Sequence, residues 1–185
     1  IAIDAKTGQP VWSKRTFAED EPRFISGPPR VFDGKVIIGH GGADSGPIRG
    51  YVTTYDAETG EQLWTFEHGG QTNASSTSGH PVEGAEGRYF VKNRGNGGVL
   101  IHVSASHGAY AVEEIWRTRH IRGTYIYPVH HDGHIYGYNG RILTCINAAT
   151  GERTWRSREP GDGLPIVVDG HLVIFTKDGK LAIAR

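Results

Sequence analysis

The densest run of groups able to bind a metal is His130-His131-Asp132-Gly133-His134, with three imidazoles and a carboxylate inside five residues. Neutral imidazole is a common ligand for zinc and related ions, so this spacing raises a metal site as one reading. Asp132-Gly133 is also a two-residue hairpin signal, however, and a turn there sets His131 and His134 at its flanks while His130 faces the other side of the strand. The sequence therefore favours solvated turn histidines. His102 and His107 read as surface residues. Cys145 is the only cysteine, so no intrachain disulfide is available, and a buried thiol is its expected state. No Gly-x-Ser-x-Gly elbow, phosphate-binding loop or Cys-x-x-Cys pair occurs, which leaves nucleophilic, nucleotide and zinc-finger chemistries without support. Asn73-Ala74-Ser75 is a formal glycosylation sequon inside a stretch, Gly69 to Gly79, whose Ser, Thr and Gly content predicts a loop.

A second segment draws attention through its glycines. Gly41-Gly42-Ala43-Asp44-Ser45-Gly46-Pro47-Ile48-Arg49-Gly50 places one carboxylate, Asp44, among small residues that let backbone approach a ligand closely. On spacing alone it reads equally as a solvated loop between strands.

The elements that must position these groups are short strands. The 185 residues suffice for one domain or a piece of a larger one, and 27 glycines, no methionine and scattered Val, Ile, Thr and Tyr favour strands joined by tight turns. No stretch keeps helical apolar spacing for three turns. Twenty basic and twenty acidic side chains cancel, so no net field holds the chain on nucleic acid or on an anionic membrane. Apolar runs such as Val36-Ile37-Ile38 are too short to cross a bilayer, and no charged-then-apolar leader opens the chain. Because Ile1 falls inside a repeat, the missing leader carries no information about where the true start lies.

The repeat is Ala2-Ile3-Asp4-Ala5-Lys6-Thr7-Gly8 running on to Trp12. It returns as Thr54-Tyr55-Asp56-Ala57-Glu58-Thr59-Gly60 to Trp64, and as Cys145-Ile146-Asn147-Ala148-Ala149-Thr150-Gly151 to Trp155. A worn copy runs from Val103 through His107-Gly108 to Trp116. The tryptophans are spaced 64−12 = 52, 116−64 = 52 and 155−116 = 39 residues apart, about the length of a four-stranded propeller blade. Upstream hairpin signals at Asp33-Gly34, Asp132-Gly133 and Asp169-Gly170 complete two hairpins per period. The prediction is an all-β propeller of about four four-stranded blades, with periods near 1–17, 18–67, 68–118, 119–158 and 159–185. Each Trp is expected to be mostly buried between neighbouring blades. The chain opens and closes at the same point of the repeat, which predicts an arc of a larger seven- or eight-bladed ring.

At these residues the sequence resembles the pyrroloquinoline quinone (PQQ) dehydrogenases and their non-catalytic propeller relatives. The stretch Ile25 to Trp64, 40 of the 185 residues, is similar to the blade carrying part of the quinone site in methanol and ethanol dehydrogenases. The resemblance implies backbone contacts to PQQ from Gly42 and Ala43, a contact from Ser26 where the family usually has Thr, and a Ca²⁺ or lanthanide ligand at Asp44, one methylene shorter than the family's Glu. Family members also hold the quinone between a Trp ring and a disulfide of adjacent cysteines. Here all four tryptophans belong to the repeat motif and one cysteine cannot form that bridge.

Two functions follow. One is a scaffold whose propeller face binds a protein or small molecule, with PQQ and Ca²⁺ not held by this chain alone. The other is part of a PQQ- and calcium-dependent alcohol or sugar dehydrogenase. The resemblance further implies a periplasmic location, and further blades or self-association as partners.

Overall fold

The computed structural model describes residues 1–25, 27–42, 48–68, 77–82 and 87–184, with backbone alone for 77–81. Strands β1 (Ala2–Ile3) and β2 (Pro10–Trp12) form a two-stranded sheet. Three four-stranded sheets follow in chain order. The first joins β3 (Arg30–Phe32), β4 (Lys35–His40), β5 (Tyr51–Asp56) and β6 (Gln62–Glu67). The second joins β7 (Thr77–Pro81), β8 (Arg88–Asn93), β9 (Gly97–Ser106) and β10 (Ala109–Thr118). The third joins β11 (Val129–His131), β12 (His134–Asn139), β13 (Ile142–Asn147) and β14 (Arg153–Ser157). A three-stranded sheet of β15 (Gly163–Val168), β16 (His171–Thr176) and β17 (Leu181–Ala184) comes last. Every strand pairs antiparallel with its sequence neighbour, and the described residues contain no helix. The structure is a partial β-propeller arc.

Local chemistry sets the turns. In the repeat motif the Asp56 carboxylate accepts the backbone N–H groups of Glu58 (3.0 Å) and Thr59 (2.8 Å) and the Thr59 hydroxyl (3.0 Å), and Asp4 does the same for Lys6 and Thr7. Asn147 keeps the two backbone bonds with its amide oxygen. These side chains replace partners that backbone in a tight turn lacks. In the inner hairpins Asp33, Asp132 and Asp169 take φ near +45° to +50° ahead of Gly34, Gly133 and Gly170, the geometry of a type I′ turn that matches strand twist.

The core lies between sheets. Ile37, Val52 and Trp64 of the β3–β6 sheet meet Tyr89, Val91, Val99 and Ile101 of the next. Phe90 and Leu100 on that sheet's other face meet Ile135, Ile146 and Ala148. Tyr138 and Leu143 then meet Leu172 and Ile174. Alternation along each central strand thus feeds two interfaces, because successive side chains point to opposite faces.

The four tryptophans hold equivalent places, opposite Ala2, Thr54, Leu100 and Cys145 in their hairpins. Their burial is not uniform, which corrects the expectation from sequence. Trp64 is 4% exposed, Trp12 and Trp116 are half-buried, and Trp155 is 39% exposed. The reason is what each ring meets on the following sheet. The Trp12 indole N–H donates to the Ala57 carbonyl (3.0 Å) and its ring lies over Gly60, while Trp116 donates to Ala148 (3.2 Å) and covers Gly151. Trp64 packs on Tyr89, at a centroid distance of 5.1 Å. For Trp155, no repeat turn among the described residues follows β17 to lie over the ring.

A second correction concerns 69–79. Thr77, Ser78 and Gly79 lie not in a loop but in β7, paired with Asn93, Lys92 and Val91. Their composition signals a turn, and pairing to β8 overrides it.

Candidate functional site

In an antiparallel meander, connections alternate between the two ends of the sheet. The hairpin turns β1–β2, β3–β4, β5–β6, β9–β10, β11–β12, β13–β14, β15–β16 therefore gather at one end. The β4–β5, β8–β9, β12–β13 and β16–β17 connections, with the crossings from sheet to sheet, gather at the other. The two ends differ in charge. The first carries Asp4, Asp33, Asp56, Glu58, Glu61, Asp132, Glu152 and Asp169 against Lys6, Lys35, Arg88 and Arg153. The second carries Arg23, Arg49, Arg94, Arg119, Arg122, Arg141, Arg158, Lys177 and Lys180 with fewer carboxylates. A chain of zero net charge is thereby polarised along the strand direction, an asymmetry that a residue count hides.

The segments carrying the predicted quinone contacts both belong to the cationic end. Ser26, Ala43 and Asp44 themselves lie outside the described residues. Their flanks are placed. Gly41 donates its N–H to the Phe24 carbonyl (2.9 Å), and Phe24 and Gly41 form an antiparallel β-bridge, so beyond it the two chains run in opposite directions and Gly42 lies against Pro22 and Arg23. Gly42 is buried with φ +144°, and a Cβ there would stand 2.9 Å from the Pro22 carbonyl oxygen, so only glycine fits.

Beside Gly41 sits a group the sequence reading missed. His40, the last residue of β4, is fully buried, stacks on Tyr51 (4.2 Å between centroids, 16° between planes) and meets the Phe17 ring edge-on. The Arg23 guanidinium covers the same Tyr51 ring at 4.5 Å and donates to the Arg49 carbonyl at 2.6 Å. Burial, followed by the nearby positive Arg23, lowers the His40 pKa to about 4, so this imidazole is neutral at pH 7. His68 at the end of β6 is equally buried and also lowered to about 4, by burial first and by Arg117 in the second place among the causes that lower it. Lys92, 4% exposed on β8, donates to the Thr124 carbonyl, and burial with Arg94 nearby lowers its pKa to about 8. Only an intervening buried-strand periodicity could have marked these three from sequence, since His and Lys usually signal surface.

The histidines around Asp132 are half-buried, with His131 opposite His134 in the hairpin and the His134 Nδ1 2.8 Å from the Asp132 carbonyl oxygen. Among the described residues, no three His, Cys, Asp or Glu side chains are grouped to hold a metal. Cys145 is a buried free thiol whose pKa burial raises. Among the described residues, no helix is long and apolar enough to cross a membrane.

Comparison with known proteins supports this architecture. A PQQ-repeat family model, described as outer membrane protein assembly factor BamB, matches residues 48–185. Quinohemoprotein alcohol dehydrogenase ADH-IIG of Pseudomonas putida is 32% identical over 198 residues, which cover 97% of this chain and 26% of that protein. Quinohemoprotein alcohol dehydrogenase of Comamonas testosteroni is 57% identical over 67 residues, 36% of this chain and 9% of the relative. The crystal structure of the Comamonas testosteroni enzyme aligns with a TM-score of 0.56 at 23% identity, over 98% of this chain and 34% of that one, and shares the fold. This chain thus spans about a quarter of the length of ADH-IIG. With the family model matching well over half of the residues, the chain belongs to the PQQ-type β-propeller repeat family.

Proposed function

We propose that this chain is a quinoprotein-like propeller module that binds a protein or small ligand at its cationic end, in the periplasm, without a complete catalytic site of its own. The observation that carries this reading is the engagement of the indoles. Trp12 and Trp116 are bonded to Ala57 and Ala148, Trp64 is in the core, and Trp155 faces Tyr136 at 6.0 Å, all four on outer strands of their hairpins. Trp12, Trp64 and Trp116 are therefore not free to stack on a quinone, the half-exposed Trp155 sits on the outer strand β14, and the lone Cys145 thiol has no cysteine neighbour to complete a disulfide. The described residues therefore do not fit PQQ as a complete set.

A second reading makes the chain part of a PQQ- and calcium-dependent alcohol or sugar dehydrogenase. The local 57% identity to the Comamonas testosteroni enzyme favours it. In that case Ser26, Gly42 and Ala43 contact the quinone and Asp44 its Ca²⁺, with the remaining groups supplied outside this chain. Retention of PQQ by this chain in the presence of Ca²⁺, read as quinone absorbance, separates the readings. The scaffold reading expects none retained, and stoichiometric PQQ held by this chain overturns it.

A further inference from the structure

Between the β11–β14 and β15–β17 sheets a recess of about 650 Å³ opens at the cationic end. It is lined by Arg141 of the β12–β13 turn, by Arg158, Gly161 and Asp162 of the crossing into β15, and by Lys177 and Asp178 of the β16–β17 turn. Its volume lies within the range of small-molecule sites. We propose that this recess binds a small hydroxy acid, with its carboxylate held by Arg141 and Arg158 and a hydroxyl donated to Asp162.

The charges in the recess are not balanced. Asp162 Oδ2 pairs with Lys177 at 2.6 Å, and Asp178 Oδ2 pairs with Lys180 at 2.7 Å, so both carboxylates are already neutralised by lysines. Arg141 and Arg158 form no hydrogen bond or ion pair with any described residue. Two unpaired guanidiniums on one recess are suited to an oxyanion, and their planar forks match a carboxylate in particular.

The hydroxyl follows from an acceptor without a donor. Asp162 Oδ1 is buried and has no hydrogen-bond partner among the described residues, while its other oxygen is committed to Lys177. A buried carboxylate oxygen left bare is unfavourable, and an alcohol O–H satisfies it without disturbing the ion pair. A bare anion does not answer this need, since it brings no donor.

The walls are held before any ligand arrives. The fully buried Tyr138 donates its hydroxyl to the Gly161 carbonyl at 2.8 Å, and the Lys177 N–H donates to the Asp162 carbonyl at 2.8 Å. The Thr176 hydroxyl bonds Asp178 and accepts the Lys180 N–H at 2.9 Å. Preformed walls lessen the ordering cost of binding. None of the lining residues comes from the segment around Gly42, so the site stands or falls apart from the quinone question.

Calorimetry on the full chain tests this with glycerate, propionate, glycerol and inorganic phosphate as probes. Glycerate is expected to bind, propionate about tenfold more weakly for want of the hydroxyl bond, and glycerol not measurably. Arg141→Gln and Arg158→Gln should each weaken glycerate about tenfold while leaving the melting temperature unchanged, since both side chains are exposed. Asp162→Asn should erase the preference for glycerate over propionate. Phosphate binding as tightly as glycerate, equal affinities for glycerate and propionate, or glycerate binding that survives both arginine substitutions would overturn the proposal.

Discussion

Replacing Gly151 by alanine tests how successive sheets are locked together. Gly151 has φ +74°, and a Cβ built there stands 2.5 Å from Cε3 and 2.7 Å from Cδ2 of Trp116. Two costs add. The left-handed backbone costs an alanine about 1–2 kcal/mol. The collision costs about 1–3 kcal/mol more, as overpacking does, because the ring is pinned by its bond to Ala148 and by Phe90, 5.8 Å away. Gly133 supplies the control. It lies in the same sheet with φ +69°, and nothing stands within 4 Å of a Cβ there, so only the backbone cost applies. Urea unfolding should therefore give Gly151→Ala a loss of about 2–5 kcal/mol against about 1–2 for Gly133→Ala. In a Trp116→Ala background the difference should vanish. Equal losses for the two glycines in the native background would refute the docking of Trp116 on the Gly151 turn.

Other consequences follow from the same structure. Trp64→Ala should cost about 3–5 kcal/mol in urea unfolding, the range for a large aromatic lost from a core, whereas the half-exposed Trp155→Ala should cost less, and a reversal of that order contradicts the assigned packing. His40 and His68 have folded pKa values of about 4 against an ordinary 6.5, so their contribution is complete above pH 6.5 and is lost as the pH falls from 6.5 towards 4, where the unfolded chain alone takes up protons. Urea midpoints should drop over that interval, and His40→Gln should flatten part of the drop; an unchanged profile counts against neutral burial. Lys92 has a folded pKa of about 8 against 10.5, so stability should rise from pH 8 to 10.5, and Lys92→Met should abolish that part of the rise.

Much of the arc was legible because its punctuation is local. The Asp4 and Asp56 carboxylates and the Asn147 amide close their own turns within three residues, so Asp-x-x-Thr-Gly reports a hairpin wherever it occurs. The Asp-Gly pairs report the inner hairpins for the same reason. Strand β7 was not legible, since Thr77-Ser78-Gly79 signals a turn and becomes a strand only through β8. Nor was the uneven burial of the tryptophans, which depends on what the next sheet presents to each ring. The glycine run marked a close backbone approach, which Gly42 makes to Pro22, while the buried His40 and Lys92 were hidden. Their burial depends on tertiary neighbours such as Tyr51 and Thr124 that lie 11 and 32 residues away (51−40 and 124−92).

The scaffold reading is tested most directly by equilibrium dialysis of the chain against PQQ and Ca²⁺, followed by quinone absorbance of the retained fraction and a parallel calorimetric Ca²⁺ titration. One carboxylate with a few backbone oxygens falls short of the six to eight oxygens that Ca²⁺ takes, so Asp44 alone should hold it weakly. The expected result is no retained quinone and no micromolar Ca²⁺ binding. Stoichiometric PQQ together with Ca²⁺ binding that Asp44→Ala abolishes would contradict it and establish a working quinone site in this chain.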